Sequence, residues 1–261
     1  MAIKADNLVL NYGETTIIDN VSLEIPAGSF CTIIGPNGCG KSTLLKALSR
    51  NLKTKSGSIF IMGKSLKHYD TRLLSRKLAF LVQSPFIPDQ FSVRDLVSFG
   101  RFPYSNWLGM LKPKDHDVIT RAMELTQVQE FADRELLHLS GGERQRVWIA
   151  MALAQEAEIL LLDEPTTYLD IAHQFQTLEL IYKLHKEMGQ TILMVLHDLN
   201  QAARYSDYIF VLKNGKLFGQ GNPEEIITED ILKQVFSLET RVIKDRENNC
   251  PYFIPLRGLA N

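Results

Sequence analysis

The sequence predicts an α/β fold built on a mainly parallel sheet, and three observations predict it. Short apolar runs rich in β-branched residues alternate with segments of helical periodicity. Those runs end in glycine or in polar residues, and the carboxyl ends of strands are where α/β sheets hold their ligands. A long, more polar helical stretch, about residues 92–139, interrupts the alternation as an inserted subdomain would.

The elements follow in chain order. Residues 3–10, 16–25 and 29–34 are expected as strands, with Pro26-Ala27-Gly28 turning between the last two. The run FCTIIG, residues 30–35, is short and apolar and reads as a buried strand. From Ser42 a helix is expected with Leu44, Leu45 and Leu48 on one face. Strands are expected at 57–62 and 78–83, the second ending at Gln83. Pro103 and Pro113 should break the inserted helical stretch, and residues 142–155 should form a helix of good helix formers. EILLLDEP is a strand closed by proline. TILMVLH, ending at His197, is a second buried strand, with DLNQAARY a helix after it. Asn214-Gly215 between 208–213 and 216–220 signals a hairpin. Beyond Pro223, two short helices and a strand pair are expected, and no motif in them carries a function.

Bulk properties exclude several classes. The chain has 261 residues, enough for its own core, with 45% hydrophobic and 23% charged residues. Lys+Arg is 29 against Asp+Glu 30, so the basic surplus that phosphate contacts require is missing and no nucleic-acid partner is expected. Cys31, Cys39 and Cys250 do not make a disulfide framework and fit a reducing compartment. The N-terminus lacks a secretory h-region, and no apolar run approaches the roughly 18 residues of a membrane span. Work at a membrane would go through a partner.

The chemistry is carried first by Gly35-Pro36-Asn37-Gly38-Cys39-Gly40-Lys41-Ser42, a complete P-loop pattern between a predicted strand and a predicted helix. Its glycines let backbone N–H groups turn inward, and the helix N-terminus adds the positive end of its dipole. Lys41 places a charge on the β- and γ-phosphates of ATP, Ser42 offers a hydroxyl to Mg2+, and Thr43 reaches the α-phosphate. Cys39 is expected to be passive. The second centre is Asp163-Glu164 at the end of an apolar strand. The first acid supports Mg2+ and the second directs water as general base, because phosphoryl transfer asks for positioning and charge neutralisation.

Between these centres stand Ser140-Gly141-Gly142-Glu143, a serine and two glycines opening a helix, hence a second anion site. One chain does not need two γ-phosphate sites, so this one is expected to serve ATP held by a second copy. The stretch from Leu139 to Glu143 resembles the signature motif of the ATP-binding-cassette (ABC) ATPases. The resemblance covers about residues 3–245 and implies a P-loop core with an antiparallel β subdomain, a helical subdomain at about 88–140 in a single domain, and a head-to-tail dimer sandwiching two ATP molecules. It also implies roles for further residues: Tyr12 stacking on adenine, Gln83 touching Mg2+ and water, Asp170 crossing the dimer interface, and His197 reaching the γ-phosphate. Histidines 68, 116, 138, 173 and 185 show no metal-ligand spacing and are expected at the surface or in packing.

The resemblance narrows further. Residues 163–174, with Thr167-Tyr168 where many ABC ATPases carry serine with alanine or asparagine, are similar to the ATPases of importers for iron–siderophore complexes. Segment 85–110 is similar to that group too, and lies where family members receive the membrane subunit. Phe86, Phe91, Phe99, Phe102, Tyr104 and Trp107 make it aromatic enough for an interaction surface. The resemblance therefore implies a peripheral subunit on the cytoplasmic face of a membrane. Its partners would be a second copy, two permease subunits and, indirectly, an extracytoplasmic substrate-binding protein. Ferric siderophore is the first expectation for cargo; haem, cobalamin and a metal ion are the alternatives. Outside transport, a soluble ABC protein on ribosomes would carry two cassettes, and a DNA-repair ATPase a long coiled coil, for which no heptads are present.

Overall fold

The structure is a computed structural model that describes residues 1–83 and 90–259. Contacts divide the chain into two compact units, residues 1–68 with 191–261, and residues 69–190.

The first unit opens with β1 (Ile3–Tyr12) and β2 (Thr15–Ile25), which pair antiparallel. β3 (Phe30–Ile34) follows and is buried at every residue, as a run apolar but for Thr32 leads one to expect. α1 (Lys41–Leu48) then buries Leu44, Leu45 and Leu48, the predicted face. β4 (Ser56–Ile61) pairs antiparallel with β1, and β5 (Lys64–Ser65) with β4. The result is an antiparallel sheet in the order β2-β1-β4-β5.

The second unit contains α2 (Thr71–Ser75), β6 (Leu78–Leu81), α3 (Val93–Ser98), α4 (Pro113–Leu125), α5 (Gly141–Ala154), β7 (Ile159–Asp163) and α6 (Ile171–Met188). β6 and β7 pair in parallel, Leu78 beside Ile159 through Leu81 beside Leu162. The prolines expected to break helices behave differently from each other. Pro113 starts α4 at its first turn, where a missing N–H costs nothing, and Pro103 sits inside a 3-10 segment, Phe99–Tyr104. That segment is anchored by Arg101, which is buried at 2% exposure against Asp115 at 0%. Arg101 Nε and Nη2 donate to Asp115 Oδ1 at 3.0 and 2.8 Å, and Nη1 donates to the Ala154 carbonyl and to Glu156 Oε2, each at 2.7 Å. Burial pushes the Asp115 carboxyl up, but the Lys112 amide and the Arg101 guanidinium outweigh it and hold the group below the usual carboxylate range. Arg101→Ala strands a buried carboxylate, so it should lower stability by about 3–5 kcal/mol. A urea midpoint equal to wild type would contradict the burial.

The chain returns to the first unit with β8 (Thr191–Val195), α7 (Leu199–Tyr205), β9 (Tyr208–Lys213) and β10 (Lys216–Gly221). α8 (Pro223–Ile226), α9 (Glu229–Phe236), β11 (Leu238–Asp245) and β12 (Cys250–Gly258) complete it. β3 lies parallel between β8 and β9, and β9 turns into β10 through Asn214 and Gly215, whose φ values of 49° and 74° make the predicted hairpin. β11 and β12 pair antiparallel as a separate ribbon.

Two strands stop earlier than expected. β6 ends at Leu81 and β8 at Val195, where the paired registers Leu81–Leu162 and Ile33–Val195 run out, so Gln83 and His197 stand two residues past their strands rather than closing them.

Candidate functional site

In the first unit the glycine-rich segment Gly35 to Gly40 joins buried β3 to α1. Two glycines are required by space. A Cβ on Gly35 would meet the Leu212 carbonyl oxygen at 2.2 Å, and Gly40, at φ 103°, would drive a Cβ to 2.6 Å from Ile18. The Lys41 side chain is buried and folds back over the loop, donating from Nζ to the carbonyls of Gly35 at 2.9 Å and Pro36 at 3.1 Å. The turn is thus stapled by the residue that carries its charge. Ser42 and Thr43 are half-buried in the first turn of α1. Burial pushes the Cys39 thiol above its ordinary value, against the opposing charge of Lys41, which suits a passive packing role.

Beside the loop opens a cleft of about 590 Å³ that contains Gly35, Pro36, Asn37 and His197. His197 is exposed, one residue before Asp198, whose Oδ1 caps α7 by accepting from the amides of Asn200 at 2.8 Å and Gln201 at 3.0 Å. Tyr12 ends β1 with 48% of its surface exposed, an accessible aromatic face.

In the second unit, β7 is buried throughout and delivers Asp163 at 3% exposure. Glu164 follows at φ 52°, a left-handed conformation that is costly outside glycine and doubly so before Pro165. Its carboxylate is held from two sides: Oε2 accepts from Gln83 Nε2 at 2.6 Å and from Thr167 Oγ1 at 3.1 Å. The carboxylate is thus fixed in place by two donors on a turn of left-handed backbone. The structure therefore brings together Gln83 and Glu164, which are far apart in sequence.

Ser140 caps α5, its Oγ accepting from the Glu143 amide while Glu143 Oε2 accepts from the Ser140 amide. This reciprocal box holds the Glu143 carboxyl below its ordinary range, first through the Ser140 amide. Gly141 and Gly142 open the helix, and a Cβ on Gly142 would meet the His173 ring at 2.8 Å. His173 itself is oriented by Asp170, which caps α6 through the His173 amide and lies 2.8 Å from its Nδ1. Asp170, expected across a dimer interface, thus also organises its own chain. His173, read from sequence as surface or packing, is the residue that explains Gly142. The Thr167-to-His173 run offered a signal for it, an aspartate three residues before a histidine, which is capping spacing.

Of the aromatic residues, Phe91 and Phe99 pack with ring centroids 5.4 Å apart and planes tilted by 40°, and the Tyr104 ring lies 3.8 Å from the Arg101 guanidinium, so three of them make packing contacts. Phe99, Phe102 and Trp107 remain 41%, 65% and 88% exposed. Phe86 lies outside the described residues. Among those described, no helix is long and apolar enough to cross a membrane.

Residues 18–167 match the family model for the ABC transporter. The chain is 46% identical over 250 residues to the iron(3+)-hydroxamate import ATP-binding protein FhuC of Bacillus subtilis (strain 168), spanning 96% of this chain and 93% of that protein. It is 42% identical over 258 residues to the ferric enterobactin transport ATP-binding protein FepC of Escherichia coli (strain K12), spanning 99% and 95%. A solved ABC transporter assigned to the metal-chelate type, in an inward-facing conformation, superposes with a TM-score of 0.85 at 29% identity, over 98% of this chain and 97% of that one. A dimeric bacterial cassette, MJ0796, in a post-hydrolysis state with ADP and Pi, superposes with a TM-score of 0.75 at 29% identity, over 84% and 98%.

Proposed function

The chain belongs to the ABC transporter family as an ATP-hydrolysing cassette, and from that premise we propose that it energises import of a ferric-siderophore-type iron chelate through a membrane permease. The observation that carries the reading is the Glu164 carboxylate, strained at φ 52° and gripped by Gln83 and Thr167. A chain that only bound nucleotide would have no use for an acceptor held at that cost. The cargo rests on the relatives named for hydroxamate and enterobactin iron, similar over nearly the whole chain. Those relatives favour siderophore iron over haem, cobalamin or free metal, and favour transport over work on ribosomes or DNA.

The roles follow from the donors each residue offers. Lys41 neutralises the β- and γ-phosphates while the loop amides from Gly35 to Gly40, with Ser42 and Thr43 at the helix start, bind phosphate oxygens. Tyr12 stacks on adenine. Mg2+ would be held by the hard oxygens of Ser42, Asp163 and Gln83, the last of which has its Nε2 spent on Glu164 and its Oε1 left to offer. When bound, Mg2+ supplies neutralisation of the triphosphate charge. Glu164 accepts the proton of the attacking water, Gln83 and Thr167 orient that carboxylate, and His197 holds a γ-phosphate oxygen.

ABC ATPases work as dimers with membrane permease subunits. Here the dimer is head-to-tail: Ser140, Gly141, Gly142 and Glu143 of one copy meet the ATP held by Lys41 of the other, with Asp170 at the boundary. Each dimer docks at the cytoplasmic face of the membrane beneath two permeases, through the surface of Phe99, Phe102 and Trp107, and a substrate-binding protein outside delivers the chelate. In a deletion strain, wild-type chain should restore uptake of radiolabelled ferric siderophore and Glu164→Gln should not. Uptake undiminished by the deletion, in a strain with no second such ATPase, would overturn the cargo.

A further inference from the structure

The C-terminal ribbon of β11 and β12 carries no recognisable motif, and both its edges are tied to helices. Pro251, Phe253 and Pro255 stand at alternate positions of β12, opposite Lys244, Val242 and Thr240, so their backbone N–H positions point the same way. Proline removes that N–H at two of the three, a common protection of an open edge. The third keeps it, and one side chain takes the whole group. Phe253 N–H donates to Asn200 Oδ1 at 2.9 Å, and Asn200 Nδ2 donates to the Phe253 carbonyl at 3.2 Å. On the other edge of the same rung, Val242 N–H donates to Glu229 Oε1 of α9 at 3.1 Å. The ribbon is therefore pinned on both sides at one level, to α9 and to α7.

Asn200 is the third residue after His197. Its amide is held by Asp198, and its side chain by Phe253. Before His197, Leu196 is buried and its amide still donates to the Ile33 carbonyl at 3.4 Å. The backbone at His197 thus runs between two fixed points, the end of β8 and Asn200. At its root the ribbon leaves α9 through Ser237, at φ 55°, which with Val235 and Phe236 walls the cleft that contains His197.

We propose that the C-terminal ribbon braces His197 for hydrolysis, with Asn200 as the positioning residue that transmits the brace. The proposal rests on the reading of His197 as the γ-phosphate partner. A short loop carrying an exposed side chain samples many positions unless both ends are fixed, and a misplacement of about 1 Å is enough to slow a positioned reaction severely. Loosening Asn200 should therefore act on turnover and not on ATP capture, which belongs to the P-loop.

The test is single-turnover ATP hydrolysis by the full chain in excess over ATP, with KM measured separately. Asn200→Ala should lower turnover by on the order of tenfold with KM within about twofold. Phe253→Pro, which removes the donor from the other side and repeats its neighbours at 251 and 255, should do the same. In a His197→Ala background, Asn200→Ala should add no further loss, whereas a merely structural residue would lower the rate in both backgrounds by the same factor. Equal losses in the two backgrounds, or full turnover in both Asn200→Ala and Phe253→Pro, would overturn the brace. Full turnover in His197→Ala alone would overturn the reading beneath it, a result distinct from slow His197→Ala beside fast Asn200→Ala.

Discussion

Glu164→Gln should bind ATP with near wild-type affinity and lose hydrolysis by about 10²–10⁴-fold, the contribution of a positioned general base, or about 3–5 kcal/mol of barrier. The substitution is nearly isosteric. Its side-chain carbonyl can still accept from Gln83 Nε2 and Thr167 Oγ1, the two donors that hold the carboxylate, so the turn after β7 should survive. What disappears is the basicity. Because ATP still binds and is no longer consumed, the variant should accumulate as an ATP-bound dimer, visible as a doubled mass in size-exclusion chromatography with light scattering. Hydrolysis near the wild-type rate would remove Glu164 from the role and leave its strained backbone without a reason.

That strain illustrates which parts of the site were legible in the sequence. Residue type and order were enough to single out the P-loop, Asp163-Glu164 and the serine and two glycines that open α5, because each is a local pattern that chemistry dictates; the cap that Ser140 forms appears only in the structure. The left-handed φ of Glu164 was not legible, since a residue before proline is expected in extended backbone. Nor was the contact between Gln83 and Glu164, which depends on the parallel pairing of β6 with β7. The same holds for the exact ends of strands: an apolar run such as LAFLVQ cannot say where its neighbour's register stops.

The fold was legible wherever burial is one-sided or complete. β3, β7 and β8 are buried throughout and apolar except at Thr32, Asp163 and Thr191. The largest element without an expectation was α6, Ile171–Met188, the longest helix among the described residues. Its start is set by Asp170, whose Oδ1 accepts from the His173 amide. Its buried residues Thr177, Leu178, Ile181, Leu184 and His185 do fall at helical spacing. Two of the five are polar, and buried His185 is satisfied by donating from Nδ1 to the Gln190 carbonyl, 2.8 Å away, so the apolar stripe is interrupted in sequence though continuous in space. The ribbon of β11 and β12 was expected only as a strand pair, and its prolines acquire meaning once their edge is known.

Lys41→Ala should act at the other half of the chemistry, on binding itself. The ammonium is buried at 5% exposure and already serves the protein, closing the loop onto the Gly35 and Pro36 carbonyls. Removing it deletes a charge-assisted contact to phosphate, worth about 1.5–3 kcal/mol, and leaves two carbonyls of the loop without their donor. ATP affinity should fall by on the order of a hundredfold or more, measured by titration calorimetry with Mg2+ present. Lys41→Arg should not restore it. A guanidinium is planar and broader than an ammonium, and the space beneath the loop is bounded by backbone: the Leu212 carbonyl already lies where a Cβ on Gly35 would go. The two variants separate the functions cleanly. Glu164→Gln keeps the ligand and stops the reaction, and Lys41→Ala loses the ligand first. Tight ATP binding by Lys41→Ala would mean that the backbone amides alone hold the triphosphate, and that the lysine is there for the loop and not for the nucleotide.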